Sequence, residues 1–171
     1  LLFEAWQRRV NSPRSTAVGR LFDAAAALTG VCSTASFEGQ GPMLFEALCG
    51  EPGSSIELTL EESDNLLIIN WEPLVDAMLD STLSVSARAS LFHASLAQAL
   101  LQQARSIREE HGVNTVSLSG GVFQNRVLSE QVLALLSADG FKVHLPELIP
   151  VNDAGISFGQ VIEVLYQRKT N

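Results

Sequence analysis

Residues 115–125 read Thr-Val-Ser-Leu-Ser-Gly-Gly-Val-Phe-Gln-Asn, and this stretch decides the fold. Its first four residues form a short segment rich in β-branched types, which predicts a buried strand of a parallel sheet. A helix follows, because apolar residues recur at the spacing of one buried face: Leu128, Val132, Leu135 and Leu136. The sequence therefore predicts a strand, a tight glycine turn and a helix.

The turn has two interpretations. Gly120 and Gly121 allow backbone angles that a Cβ would forbid, and they let a ligand approach the main chain closely. The first amides of the following helix would then offer positive partial charge to a phosphate. Alternatively, the glycines serve the geometry of the turn alone. A glycine pair after a strand is a weak signal, so both interpretations stay open at this point.

The rest of the chain predicts an α/β fold in one domain, with a helical segment at 1–55 and a hairpin plus α/β layer at 56–171. The predicted strands cover 56–60, 66–71, 115–118 and 141–145. The predicted helices cover about 2–10, 17–28, 42–48, 72–80 and 84–111, then one that starts directly after the glycine turn and runs to about 139, and a last one at about 154–168. The last of them has an apolar stripe that we expect to face inward: Phe158, Val161, Ile162 and Leu165.

Composition limits the classes of function. The chain has 171 residues, 46% of them hydrophobic, and a net charge of −8, so we expect a globular protein without general affinity for nucleic acid. No apolar run reaches the length of a membrane span. Cys32 and Cys49 are too few for a disulfide framework, which favours free thiols in the cytoplasm. The chain does not begin with Met, which suggests a piece of a longer protein.

Two carboxylates stand where a ligand could meet them. Asp23 shares a helix face with Gly19, next to an apolar stripe, and is either a solvated edge charge or a cleft-wall acceptor for ligand hydroxyls. Asp153 precedes the last helix and is either its N-cap or a metal ligand. If strands 115–118 and 141–145 are neighbours, Asp153 and the glycine turn face one crevice. His93, His111 and His144 lack metal spacing and are expected to be packing or surface residues.

Five stretches occur together in this order: Gly19-Arg20-Leu21-Phe22-Asp23-Ala24, Phe37-Glu38-Gly39-Gln40, Phe92-His93-x-x-Leu96-Ala97, Ser119-Gly120-Gly121-Val122-Phe123-Gln124-Asn125 and Asn152-Asp153-x-Gly155-Ile156-Ser157-x-Gly159-Gln160. Together they resemble the carboxyl-terminal, Kae1-like part of the hydrogenase maturation carbamoyltransferases of the HypF family. The resemblance implies the second lobe of an actin, Hsp70 and sugar-kinase type of domain, an α/β fold with a short mixed sheet flanked by helices.

The resemblance also implies an activity. HypF enzymes use carbamoyl phosphate and ATP to make a carbamoyl-adenylate, and they pass the carbamoyl group to the carboxyl-terminal cysteine of HypE. The product becomes the cyanide ligand of the nickel-iron hydrogenase centre. The partners implied are the HypE tail and the upstream half of the same enzyme. A lobe without that half is expected to be inactive, and to dimerise or to expose an apolar patch beside Gly120.

By the same resemblance, Gly120 and Gly121 would meet the nucleotide phosphate, with the Asn125 amide nearby. A second group would hold the ribose or the carbamoyl-adenylate: Gly19, Asp23, Glu38 and Gly39. Asp153 would be one ligand of a divalent metal ion, whose other ligands in the family include a histidine pair that this sequence lacks.

The sequence departs from the family pattern at two further places. Ala154 replaces a glycine, and Gly41-Pro42 replaces two alanines. Other interpretations are a lobe of a threonylcarbamoyl-transferase or of a sugar kinase, or a non-catalytic lobe that docks a partner protein.

Overall fold

The computed structural model describes residues 1–13, 15–51, 53–63 and 66–170, without the side chains of 169 and 170. Within these ranges the helices are α1 (Leu2–Gln7), α2 (Val18–Leu28), α3 (Gln40–Ala47), α4 (Glu72–Leu79), α5 (Val85–His111), α6 (Arg126–Ala138) and α7 (Ile156–Thr170). The strands are β1 (Leu60–Ser63), β2 (Leu66–Ile69), β3 (Thr115–Ser117) and β4 (Lys142–His144). Two short 3-10 turns cover Gly121–Gln124 and Asp153–Gly155.

The strands form one antiparallel and one parallel pair. β1 and β2 are the predicted hairpin, with Leu60 opposite Ile69. β1 begins four residues later than predicted and includes Glu61 and Glu62, which we had assigned to the turn. Residues 64 and 65 of that turn lie outside the described residues. β3 and β4 run parallel, with Val116 opposite Val143, so the predicted α/β class with strands of both orientations is confirmed.

The core is built around α5, which packs along α6. The middle of α5 is buried because its apolar residues fall on one broad face. Rings from three helices meet there: Phe22 of α2 lies 4.9 Å from Phe92 in an edge-on arrangement, and Phe45 of α3 lies 5.6 Å from it. Buried side chains from α4, from α6 and from positions next to the strands complete the core: Leu58, Leu74, Met78, Leu118, Leu128, Val132, Leu136 and Phe141.

The ends of α5 follow the sequence signals. Ser84 is the N-cap, and its side chain accepts a hydrogen bond from the Ala87 amide. Gly112 ends the helix with a φ of +68°, a left-handed conformation that glycine adopts without strain. Near this end, Arg105 and Arg108 both bind the Asp139 carboxylate, which follows α6. Their hydrogen bonds lower the pKa of Asp139, so the two helix ends stay tied at neutral pH.

The predicted inward face of α7 is wrong for this chain. Phe158, Val161, Ile162 and Leu165 are each about half exposed, between 48% and 58%. The stripe itself exists, but among the described residues no helix or strand packs extensively against α7, whose main contact is with the short turn before it. Periodicity locates the apolar side of a helix and does not say which chain covers it.

None of the helices in the described ranges is long and apolar enough to cross a membrane.

Candidate functional site

An open cleft of about 670 Å³ lies between α2 and the loop that leads into α3. Its lining includes Asp23, Glu38 and Gly39, three of the residues predicted to bind a ligand. Gly19 lies one turn before Asp23 on α2 but is not part of the lining.

One arginine connects the two carboxylates of this cleft. The Arg20 guanidinium lies 3.1 Å from the Asp23 carboxylate and 3.9 Å from that of Glu38. All three side chains are accessible to solvent, so these ion pairs contribute little to stability. Their effect is to gather two acceptors and one cation in one open site. The sequence motif contained Arg20, but sequence reasoning missed its role.

The loop before α3 is held by its own side chains. Gly39 has a φ of +84°, which favours glycine at this position. The Gln40 side-chain oxygen accepts hydrogen bonds from the Ser36 amide, at 2.7 Å, and from the Ser36 hydroxyl, at 2.9 Å. Gly41 is buried, and a Cβ there would stand 3.3 Å from the Ala26 Cβ. The Gly41-Pro42 departure therefore lets α3 approach α2 closely.

The glycine turn meets the loop after β4, as predicted. Gly120 has a φ of +110°, and its amide donates a hydrogen bond to the Val151 carbonyl over 2.8 Å. A Cβ on Gly121 would stand 3.8 Å from the Asn152 Cβ, which is ordinary contact. The positive φ of Gly120 therefore favours glycine there, whereas Gly121 would accept a Cβ with ordinary contacts only. Both carboxyl-end loops face the same side, as in other open α/β sheets.

The first two amides of α6, where a phosphate was predicted, already have a partner within the chain. The 3-10 turn begins at Gly121 itself and lies between Gly120 and α6, which begins only at Arg126. The amides of Arg126 and Val127 donate to the Glu46 carboxylate over 2.7 and 3.2 Å. Glu46 is thus the anion at this helix N-terminus. The contact joins residues 80 positions apart, and no local sequence signal predicts it.

Asn125 also differs from its expected role. Its Oδ1 caps α6 by accepting from the Leu128 amide over 2.9 Å, and its Nδ2 lies 2.9 Å from Nε2 of His93. The side chain is buried, with the residue only 8% exposed. The amide that we expected beside a nucleotide therefore connects two interior groups instead.

Asp153 is exposed and opens the second 3-10 turn. The cap of that turn is Asn152, whose side chain accepts from the Ala154 amide over 3.1 Å, so the N-cap interpretation of Asp153 is wrong. Ala154 fits without a positive φ. Gly155 is the residue that cannot change, since a Cβ there would lie 2.5 Å from the Pro150 carbonyl oxygen.

A free carboxylate such as Asp153 suits a hard divalent cation. Among the described residues, however, no group of three or more histidine, cysteine or acidic side chains could hold a metal ion. Nor does Asp153 line the cleft of Asp23 and Glu38, and the same holds for Gly120 and Gly121. The Asp23–Glu38 cleft and the Gly120–Gly121 turn are therefore two separate parts of the predicted site. Helix α2 connects them, because it lines the cleft and also lies against the 121–124 turn.

His93 and Cys49 are the ionisable pair of the interior. His93 is fully buried, and its Nδ1 lies 2.8 Å from the Ala89 carbonyl oxygen and 3.2 Å from the Cys49 sulfur. Burial lowers the pKa of His93 and, with a smaller contribution from the Glu46 charge, raises that of Cys49 to about 11. The thiol therefore stays protonated and is a poor nucleophile. The prediction of a packing histidine is confirmed for His93, and both cysteines are free.

Comparison with known proteins identifies relatives over almost the whole chain. Residues 1–160 match the family model described as the second subdomain of the Kae1-like domain of carbamoyltransferases. A carbamoyltransferase HypF homologue of Cupriavidus necator is 36% identical over 163 residues, which are 90% of this chain and 41% of that protein. Carbamoyltransferase HypF of Synechocystis is 33% identical over 98% of this chain and 22% of that protein.

Solved structures agree with these relatives. A full-length HypF in its phosphate- and nucleotide-bound form superposes with a TM-score of 0.85 at 35% identity, covering 92% of this chain and 21% of that one. HypF of T. kodakarensis gives a TM-score of 0.77 at 27% identity, over 87% of this chain and 20% of that one. The chain spans between 19% and 41% of the length of the curated relatives it matches.

Proposed function

The chain belongs to the HypF carbamoyltransferase family as a Kae1-like second subdomain, and from this premise we propose that it forms one wall of the nucleotide site of such an enzyme. The observation that supports the proposal is the open cleft in which Asp23, Glu38 and Arg20 face one space. The HypF of the superposed structure binds phosphate and nucleotide. In the proposed site, residues of this cleft would contact the ribose or the carbamoyl-adenylate, as the family resemblance implies.

In the proposed site, each side chain has a role set by its chemistry. The Asp23 and Glu38 carboxylates accept hydrogen bonds from ribose hydroxyls, since an ionised carboxylate only accepts. Arg20 offers several donors and one positive charge beside them, which offsets the repulsion between two carboxylates and a charged ligand. Gly121 leaves space for a ligand phosphate to approach the main chain.

The reaction that we propose for the complete enzyme begins with ATP and carbamoyl phosphate, which form a carbamoyl-adenylate with release of phosphate and pyrophosphate; AMP leaves in the transfer that follows. The carbamoyl group then passes to the carboxyl-terminal cysteine of HypE, in the cytoplasm. A divalent metal ion bound beside the phosphates would offset their negative charge. Asp153 would supply one oxygen ligand to it, and the other ligands would come from outside the described residues.

The 171-residue chain on its own is expected to be inactive. It spans less than half of the length of the relatives described above, and its cleft is open to solvent. Incubation with ATP, carbamoyl phosphate and the HypE tail should leave the tail cysteine without a carbamoyl group. Mass spectrometry of the tail would detect this carbamoylated cysteine, a thiocarboxamide. A full-length HypF enzyme under the same conditions is the positive control, and thiocarboxamide formed by the chain alone would contradict the expectation.

Nucleotide binding tests the proposed site directly. Calorimetric titration with ADP should release heat, and Gly121→Ala should weaken binding about tenfold, or roughly 1.4 kcal/mol, because a methyl group enters the space left for the phosphate. A Cβ at this position meets only ordinary contacts, so the fold should be unaffected. Gly159→Ala is the matched control, since it adds a methyl group without a close contact, but on α7 and outside the proposed site.

The outcomes of this titration are separable. Equal affinity of Gly121→Ala and the unchanged chain would remove the glycine turn from the site. No heat from the unchanged chain would favour a lobe that docks a partner protein.

The exposed apolar stripe of α7 supports such an interface. We propose that the upstream part of the enzyme covers this stripe, and that a second copy of the chain does so when that part is absent.

A further inference from the structure

His93 lies where α2, α3 and α5 meet the beginning of α6. Its ring stacks on Phe45 at 5.9 Å and meets the edge of Phe22 at 5.1 Å. On one side Nδ1 faces the Ala89 carbonyl oxygen, and on the other Nε2 faces the Asn125 amide nitrogen. No part of this ring reaches solvent, so each of its nitrogens depends on these protein partners.

The orientation of Asn125 determines which ring nitrogen carries the proton. The Leu128 amide is a donor, so the side-chain atom of Asn125 that faces it must be the oxygen. The amide NH₂ therefore points at Nε2, which must accept. Nδ1 then carries the single proton and donates it to the Ala89 carbonyl oxygen. This assignment satisfies every polar atom of the contact in one tautomer of neutral histidine.

Asn125 in turn fixes the glycine turn. Its backbone amide donates to the Val122 carbonyl over 3.1 Å, within the 121–124 turn. The Phe123 amide donates to the Gly120 carbonyl over 3.0 Å. A continuous set of hydrogen bonds therefore leads from the His93 ring through Asn125 to Gly120.

The ionisable groups near the ring come from α3 and the residues just after it. Cys49 is a protonated thiol, and Glu46 places a negative charge that favours a protonated imidazole. Burial acts in the opposite direction and outweighs it. The neighbours from α2 and from the cap of α6, Phe22 and Asn125, carry no charge.

We propose that His93, as the neutral Nδ1–H tautomer, is a positioning residue that acts through Asn125 to hold the Gly120–Gly121 turn in place. A doubly protonated ring would direct N–H against the Asn125 NH₂, so Asn125 would have to turn and leave the Leu128 amide without its cap. The importance of the turn for nucleotide binding rests on the proposed function, but its ordering by His93 does not.

The proposal predicts how stability depends on pH. The pKa of His93 is lower in the folded chain than the value of about 6.5 expected when unfolded. Between the folded pKa and about 6.5, the unfolded chain therefore binds more protons than the folded chain. The contribution of neutral His93 is fully present above pH 6.5 and is lost as the pH falls from 6.5 toward the folded pKa.

NMR of the chain with ¹⁵N-labelled histidine tests the tautomer, because the ¹⁵N shift of each ring nitrogen reports its own protonation. At pH 7.5 the His93 signals should show Nδ1 protonated and Nε2 unprotonated. In Asn125→Asp, the carboxylate still caps α6 but now faces Nε2, so Nε2 should become protonated and the His93 pKa should rise. Protonated Nε2 in the unchanged chain, or the same tautomer in Asn125→Asp, would overturn the proposal.

Amide hydrogen exchange tests the positioning. His93→Gln carries an acceptor near the Nε2 position, whereas His93→Asn is too short to reach Asn125. Protection of the Phe123 and Asn125 amides should fall about tenfold in His93→Asn, the factor carried by one hydrogen bond, and should recover in His93→Gln. Equal protection in both variants would overturn the proposal. ADP titration of the same variants then shows separately whether turn order matters for nucleotide binding.

Discussion

Replacing Asn125 by alanine is expected to lower the free energy of unfolding by about 3 kcal/mol, a large fraction of the stability of a domain of this size. The substitution removes the cap of α6, which accounts for about 1 kcal/mol. It also leaves Nε2 of the fully buried His93 without its partner, which costs about 1–3 kcal/mol. Urea unfolding followed by circular dichroism measures the change.

Ser84→Ala is the matched control for this substitution. Ser84 caps α5 through the Ala87 amide, but it is exposed and contacts no buried histidine. Its loss should therefore cost only the cap, about 1 kcal/mol. The excess cost of Asn125→Ala over Ser84→Ala measures the His93 contact. Equal costs would mean that this contact contributes nothing to stability.

The sequence predicted those parts of the fold that depend on local chemistry. Ser84 and Gly112 mark the ends of α5 because an N-cap acceptor and a left-handed C-cap are local requirements. The parallel pairing of β3 and β4 follows from the strand, helix, strand order of the sequence, because a connection that contains a helix joins parallel strands. Motif order then located Asp23, Glu38 and Gly39 in one cleft, although they come from separate stretches of the chain.

The predictions that differ from the structure concern contacts between residues distant in the sequence. Nothing near Glu46 in the sequence indicates that its carboxylate reaches the amides of Arg126 and Val127. Likewise, Asn125 reads as a polar residue of a ligand motif, whereas its position beside His93 makes it an interior connector. In both cases a group expected to serve a ligand serves the fold. Gly121 is consequently the position of the turn that stays available to a ligand, because a Cβ there meets only ordinary contacts.

The face of α7 raises a different question, because its apolar stripe was predicted correctly but its burial was not. Hydrophobic periodicity carries no information about the chain that covers a helix. We infer that the stripe belongs to an interface with protein outside this chain. The same substitution made inside the core and on this stripe distinguishes an interface from a misplaced core.

Phe22→Ala is expected to destabilise the 171-residue chain by about 3–5 kcal/mol, whereas Phe158→Ala should change stability by less than about 0.5 kcal/mol. Phe22 is 1% exposed and contacts the rings of Phe92 and His93, so its loss leaves a cavity in the core. Phe158 is 50% exposed. Denaturant unfolding at low protein concentration measures both variants against the unchanged chain.

Protein concentration then separates the two ways of covering α7. If a second copy packs on the stripe, Phe158→Ala should become destabilising as the concentration rises, because association stabilises the folded state by mass action. Sedimentation of the unchanged chain should show a dimer that Phe158→Ala weakens. A cost of several kcal/mol for Phe158→Ala in a strictly monomeric chain would instead mean that α7 folds back onto its own core, and would remove the interface inferred here.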